Sequence, residues 1–469
     1  MKLTGHPIDV LSSGEEALIH RGALRILAEI GMEVENERML AILRDFGLEV
    51  DFQAQRVRFP KKFVERFIGE AEKYDWSKAK PKVEAEAGVY LSQFHDPQTL
   101  ELVPWTEERL AYYSSLARSL PNVGGASMLG CRLPVPAELE PLYERYYNWK
   151  YGNEEGGSIH LDEICPYLFE LYQIRADLLG QSVKEIFHGT VYLVPPLKLG
   201  RHEAYQVMYF WERGVRVGIG DMFALGSSAP VTLAGAVTLN LAEQLALRII
   251  EAALFEKKRL HLGGSIAVFD MRTTFYRAAP PERSLAHLMT AQMARFYGAS
   301  FSGHALLTDA KRPTFEAGAQ KAMNALLLLL AGGNIWYPVG LLSADEICSP
   351  IQMILDNEIL DILRHYQKEF EVTEDSLGFE AVLEAGPGGH FMDKDHTARY
   401  YRQEVWEPSV FTRQMLRGWM DAGGMLDVDK AQQRALDFLQ MPPEPSRLEG
   451  EEERDILKVI GKAKKALRE

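Results

Sequence analysis

Between Phe301 and Asn334 the chain reads FSGHALLTDAKRPTFEAGAQKAMNALLLLLAGGN, which sets His304, Asp309, Lys311 and Glu316 close together in sequence. Imidazole, carboxylate and ammonium groups at such spacing can bind ions or move protons. A second group of such residues follows the glycine turn Gly386-Pro387-Gly388-Gly389, where His390 and Phe391 precede Asp393, Lys394, Asp395 and His396. Two histidines six apart do not share a helix face and bring no third ligand, so neither a zinc site nor any other tightly bound metal is expected. No G-x-S-x-G, no H-E-x-x-H and no Cys-His nucleophile pattern occurs. The segment Gly226 to Ala236 is rich in Gly and Ala but lacks the lysine of a phosphate-binding loop.

The elements that must hold these groups can be read from periodicity. Phe301 to Leu307 has the length and apolar content of a buried strand, 308–313 reads as a loop, and the apolar helix after it stops at Gly332-Gly333-Asn334. With that strand included, strands are expected at Val123–Leu129, Gly189–Val194, Val215–Ile219, Leu260–Phe269, Ala299–Leu306 and Asn334–Leu341, separated by helical pattern, with two more near Tyr90 and Phe391. That alternation implies a parallel sheet. Eight such units predict a closed α/β fold, the (β/α)8 TIM barrel; an open doubly wound sheet competes, but no G-x-G-x-x-G follows any strand. Residues 1–80 read as an N-terminal α+β appendage, 78–87 as a linker, 81–396 as the barrel with its site at the C-terminal mouth, and 397–469 as covering helices anchored by Trp406, Trp419 and Phe438.

Composition narrows the class of partner. The chain has 469 residues, 46% apolar and 25% charged, with a formal charge of −14 and no basic patch interleaved with aromatics, so nucleic acid is excluded as a partner. Three scattered cysteines, Cys131, Cys165 and Cys348, suggest neither a disulfide framework nor a zinc knuckle and fit a cytoplasmic setting. The apolar runs fall short of the roughly 20 residues that span a bilayer, so no membrane partner is expected.

Several blocks lie in a recognisable order: HRGALRILAEIGMEV followed by RVRFP, then GSSAPVTLAGAVTLNLAEQLA, TDAKRPTFEAGAQKAMNALLLLLAGGN and GPGGHFMDKDHTARYYRQEVWEP. In these the chain resembles the trimethylamine methyltransferase family, corrinoid-dependent enzymes that move a methyl group from a methylamine to cobalamin held on a separate small protein. The resemblance implies a TIM barrel, a cognate corrinoid protein as partner, cobalamin as a cofactor not tightly bound by this chain, and a homo-oligomer. Members that use trimethylamine carry pyrrolysine just ahead of a segment like Thr308-Asp309-Ala310-Lys311. Here His304-Ala305-Leu306-Leu307 are standard residues, with Leu306 or Leu307 at the replaced position, as in the non-pyrrolysine branch similar to glycine betaine:corrinoid methyltransferases.

A quaternary ammonium leaves as a neutral tertiary amine, so attack by cob(I)alamin needs no protein nucleophile, only a dry cavity with aromatic faces for the cation. Candidates for those faces are Tyr90, Phe94, Phe223, Phe269, Trp336, Tyr337 and Phe391. His304 and His390, with Arg272 behind them, are candidates to pair a betaine carboxylate. Leu306, Leu307, Asp309, Lys311, Glu316 and Asp221 complete the expected pocket and loop, with Asp309, Lys311 and Glu316 forming an ion network. Two other readings remain open, a methylcobalamin:tetrahydrofolate-type methyltransferase and a non-catalytic binder of quaternary amines.

Overall fold

The computed structural model describes residues 7–78, 82–90, 93–130, 135–153, 156–448 and 450–467. Short parallel strands alternate with helices along most of this length, giving a mixed α/β fold. The strand Asn334–Val339 lies between Ser300–His304 and Lys82–Val89, in a register that sets Trp336 beside both His304 and Glu84. Lys82–Val89 pairs onward with Ala126–Met128, and Ser300–His304 with His261–Leu262. The strand Ser265–Asp270 pairs with Met222–Leu225, and the adjoining Gly218–Gly220 with Thr190–Tyr192, whose Thr190 bridges Ser158. All of these pairings are parallel. Among the described residues no strand pairing joins Ala126–Met128 to Ser158, so hydrogen bonding alone does not close a barrel.

Two expectations are corrected here. Lys82 to Ala87 is no linker: KVEAEAGV is a central strand, disguised in sequence by small and charged residues where a strand between helix layers would carry branched apolar ones. No strand forms near Phe391, where residues 387–394 are turns and irregular chain between the helices Phe379–Ala385 and Asp395–Glu404. The N-terminal elements are stitched into the body, because Met32–Val34 pairs with Lys198–Leu199 and Ser13–Glu29 packs on Leu233–Phe255.

Leu233–Phe255 alone among the described residues is long and apolar enough to cross a membrane, and it is mostly buried inside the fold. Helix Phe315–Ala331 holds the end of the strand before it. Lys321 donates to the Leu306 carbonyl (3.0 Å) and to Asp356 (2.8 Å), and Asn324 bonds the Leu306 N–H (2.6 Å) and the Leu307 carbonyl (2.8 Å). Asp356 also accepts from the Gly340 N–H (2.7 Å), so one fully buried ion pair fixes the ends of two neighbouring strands. At Gly333 (φ +104°) an added Cβ would stand 2.7 Å from the Phe301 carbonyl, which requires glycine where helix turns back into strand.

Candidate active site

A side chain reaches the inner or outer face of a strand by parity. Ser302 and His304 share one face of their strand, as do Asn334 and Trp336 of the next, and these four line a cavity of about 520 Å³ together with Glu84, Thr190, Tyr192, Asp221, Gln244, His261 and Gly264. The opposite parity sends Tyr337 outward, where it is fully buried against the helices. Trp336 and Tyr337, expected together, therefore cannot both face the cavity.

The wall of the cavity is a row of rings. Trp336 lies 6.1 Å from His304 at 35°, and His304 lies 6.4 Å from His287 at 90°. Burial, reinforced by Arg283, pushes His287 down to about 3 and His304 well below the ordinary imidazole range. His261, flanked by Ser300 (3.0 Å) and Ser302 (2.8 Å), is pushed down to about 4 by burial and by Arg248 and Arg216. At neutral pH these imidazoles are uncharged and repel no cation.

Opposite them stands an acceptor-rich corner. Asp221 is 3% exposed and neither of its carboxylate oxygens has a hydrogen-bond partner in the protein. Asn240 Oδ1 and Glu243 Oε2 on helix Leu233–Phe255 are equally buried and without one, although Glu243 Oε1 accepts from the Leu197 N–H (2.7 Å). The Gln244 amide is near enough to favour the ionised form of Asp221 but completes no hydrogen bond to it. The backbone at Gly264 (φ +116°) approaches so closely that an added Cβ would lie 2.9 Å from Asp221 Oδ1 and 3.1 Å from Asn240 Oδ1. Burial pushes Asp221 up to about 6 and Glu243 up to about 8. Buried acceptors with no donor are costly by themselves and are relieved by a proton or a cation.

The other expected residues are distributed as follows. Tyr90 is half-buried near Arg283, Tyr192 and Asp345. Phe94 is buried in a separate aromatic cluster with Trp105 (5.1 Å) and Tyr113 (6.3 Å), and Phe223 is buried in the core. Phe269 lies half-buried against Tyr276 on the hairpin Ser265–Asp270/Phe275–Arg277, outside the cavity lining. Phe391 is 44% exposed, and His390 pairs with the exposed Asp393 (3.4 Å), so the glycine turn is on the outer surface. Arg272 is exposed on the hairpin. Leu306, whose φ is +62°, and Leu307 are buried in the core and do not line the cavity.

The expected Asp309–Lys311–Glu316 network does not form. Asp309 faces Arg277 (3.3 Å) and accepts from the Ala278 N–H (2.8 Å), while Lys311 donates to the Asp309 carbonyl (2.7 Å) and lies over the Phe275 ring. Glu316 accepts from the Gln320 amide one turn along its own helix (3.4 Å). The loop is thus pinned both to the hairpin and to its own helix, where Gln320 Oε1 accepts from the Asp309 N–H (2.8 Å) and the Thr308 hydroxyl (2.6 Å). Buried beneath that hairpin, Arg283 donates to the carbonyls of Ile266 (2.6 Å) and Ala278 (3.0 Å).

Sequence reasoning assigned no role to Tyr192, His261, His287, Asn240, Glu243, Gln244 or Arg283. A signal existed for some of them: Asn240, Glu243, Gln244, Arg248 and Glu251 form a polar stripe at helical spacing through an otherwise apolar helix.

Comparison with known proteins gives this geometry a context. The profile of the family described as trimethylamine methyltransferase (MTTB) matches residues 2–88 and 170–467. The chain is similar to glycine betaine methyltransferase of Desulfitobacterium hafniense (strain Y51), 27% identical over 432 residues with 88% of each chain covered. It is similar also to trimethylamine methyltransferase MttB2 of Methanosarcina mazei, 24% identical over 495 residues, covering 100% of this chain and 97% of that one. Among solved structures, the monomethylamine methyltransferase of Methanosarcina barkeri aligns with a TM-score of 0.47 at 11% identity, over 99% of this chain and 96% of that one.

Proposed function

Because this chain belongs to the trimethylamine methyltransferase family, we propose that it takes a methyl group from a quaternary ammonium compound of the betaine type and delivers it to a corrinoid carried by a separate protein. The observation that carries the proposal is the pairing, in one cavity, of the buried unpartnered carboxylate of Asp221 with the uncharged ring wall of Trp336 and His304. An onium ion is poorly hydrated and forms no hydrogen bonds, so it suits ring faces and a buried carboxylate to which the nearby Gln244 and Arg248 complete no hydrogen bond. Its arrival also relieves the cost of burying Asp221.

The cavity has room for a small methylated amine and not for a macrocycle, and no group of three or more His, Cys, Asp or Glu among the described residues is arranged to hold a metal. The corrinoid is a co-substrate presented at the mouth, where the turn after Ser265–Asp270 exposes Met271 and the strand Phe275–Arg277 exposes Tyr276. When bound there, it supplies the nucleophile that accepts the methyl group. The chain's own part is to bind the cation, turn one methyl group outward and exclude water. A neutral amine leaves, so no residue must donate a proton. A substrate carboxylate would be met by Arg248 or Arg216, the guanidiniums that line the cavity, rather than by His390 or Arg272 on the surface.

The barrel belongs to the same reading. Closure requires Ala126–Met128 and Ser158 to be neighbours, which the bond from the Asn153 N–H to the Ala126 carbonyl (2.8 Å) supports. The test follows methylcobalamin formation by absorbance with a corrinoid protein reduced to the cob(I) state. Glycine betaine or a related quaternary amine is expected to be demethylated, choline poorly, and trimethylamine not at all. Robust turnover of trimethylamine alone would overturn the proposal.

A further inference from the structure

Between residues 368 and 430 only Ala381 and Val410 are buried, yet the chain there is folded into the helices Phe379–Ala385, Asp395–Glu404 and Leu416–Asp421. Helices of 7, 10 and 6 residues do not hold themselves in water and persist through packing. The latter two bury no residue at all. Fifteen large apolar side chains of this segment are exposed among the described residues, including Phe379, Leu383, Met392 (85%), Met415 (86%), Leu416 and Leu426.

The segment is anchored at its base and is not a loose tail. The fully buried Glu358 on helix Pro350–Gln367 accepts the backbone N–H groups of Ser409 (2.8 Å), Val410 (2.9 Å) and Phe411 (3.1 Å) and the Ser409 hydroxyl (2.6 Å). Trp406 Nε1 donates to Asp361 on the same helix (2.8 Å). An arm held this firmly, with its apolar side chains in water, lacks half of its core.

We propose that this arm, residues 368–426, is an assembly interface that mates with a second copy of this chain. The area argues for a permanent partner. With roughly half of the ~150–250 Å² of an aromatic side chain exposed on each ring and less on the Leu, Val and Met residues, the arm offers on the order of 1,000 Å² of apolar surface. That exceeds the ~300–600 Å² of the largest patch on a typical monomer and the ~800 Å² per partner of a standard stable interface. A methyl acceptor that docks and departs at each turnover needs the opposite, a smaller and more polar contact. Position argues the same way. The first part of the arm leaves helix Pro350–Gln367 at its C-terminal end, and a helix following a parallel strand runs back toward the strand's start, so the helices Phe379–Ala385 and Asp395–Glu404 begin away from the mouth. Every copy carries the same arm, so a two-fold contact satisfies both at once.

Sedimentation of the full chain without any corrinoid protein, from about 0.1 to 10 µM, tests this. A dimer or larger assembly of defined mass is expected throughout. The double variant Leu383→Asp/Met415→Asp is expected to sediment as one chain with its circular dichroism otherwise kept, while Leu178→Asp, exposed elsewhere on the molecule, leaves the mass unchanged. Hydrogen exchange on the unaltered protein gives a second readout that does not depend on variants: amides of 379–404 are expected to be protected across the same concentration range. A monomer at all concentrations, an assembly that survives the double substitution, unprotected arm amides, or association seen only with a corrinoid protein would each overturn the proposal.

Discussion

At Asp221 the cost of the site and its use are the same fact. Its displacement from an ordinary 3.8 to about 6 corresponds to about 3 kcal/mol lost on burying the ionised form. Because the folded state holds the proton more tightly than the unfolded state, stability falls as pH rises from about 4 to 6, and the whole penalty is present above that range. Asp221→Asn is therefore expected to raise stability at pH 7.5 by up to about 3 kcal/mol and to change it little near pH 3.5, as measured by denaturant unfolding at the two pH values. Binding has the opposite sign. Protonated Asp221 offers no charge, so the affinity for a betaine should be roughly tenfold weaker at pH 5 than at pH 7, and calorimetric titration of the Asn variant should find that dependence gone. Trp336→Ala is expected to weaken the same binding by about 0.5–2 kcal/mol, with Trp336→Phe nearer the parent. Equal affinities for all three proteins would mean that the ring does not face the cation.

The elements that position these residues are held by a few buried polar ties. Lys321 and Asp356 are both fully buried, and burial works against both charges, pushing the carboxyl up and the ammonium down while each favours the other. Lys321→Met leaves Asp356 without its cation and is expected to cost about 3–5 kcal/mol, whereas replacing both by apolar residues of similar volume should recover most of the loss. Thermal unfolding of the single and double variants measures this as a cycle, and additive losses would show that the pair does not act as a unit. Short-range sequence reading erred at the same level. Asp309, Lys311 and Glu316 are close in the chain, but the partner of Asp309 is Arg277 from a hairpin that sequence spacing could not bring near. Phe94 and Tyr337 have the right chemistry for a cage and are placed by strand position and parity in other layers.

For the whole molecule, a ligand that binds only the folded protein stabilises it by mass action, about 2.7 kcal/mol at a concentration a hundred times its Kd. A quaternary amine should then raise the melting temperature by a few degrees. The rise should be larger at pH 7.5 than at pH 5, since the site is charged only at the higher value. Trimethylamine, protonated at both values and smaller, should give the lesser shift. A scan of melting temperature against amine and pH checks this without any corrinoid partner, and an identical rise at both pH values would remove Asp221 from the binding site.

What the sequence by itself determined is the part that rests on local pattern. The blocks that carry family membership, the alternation of strand and helix, the βα unit around His304 and the absence of nucleophile and phosphate-loop motifs are all properties of residues near one another in the chain. It also pointed to Trp336 and His304, because a residue at a strand end is a reasonable candidate for a mouth. Only the tertiary structure decided which rings share a face, that a strand hides in KVEAEAGV, that Asp221 has no donor, and that the glycine turn with His390 and Phe391 belongs to an exposed arm. The reason is physical. Parity and register select one of two faces for each side chain, and burial sets its charge, but both depend on neighbours contributed by segments far apart in the chain.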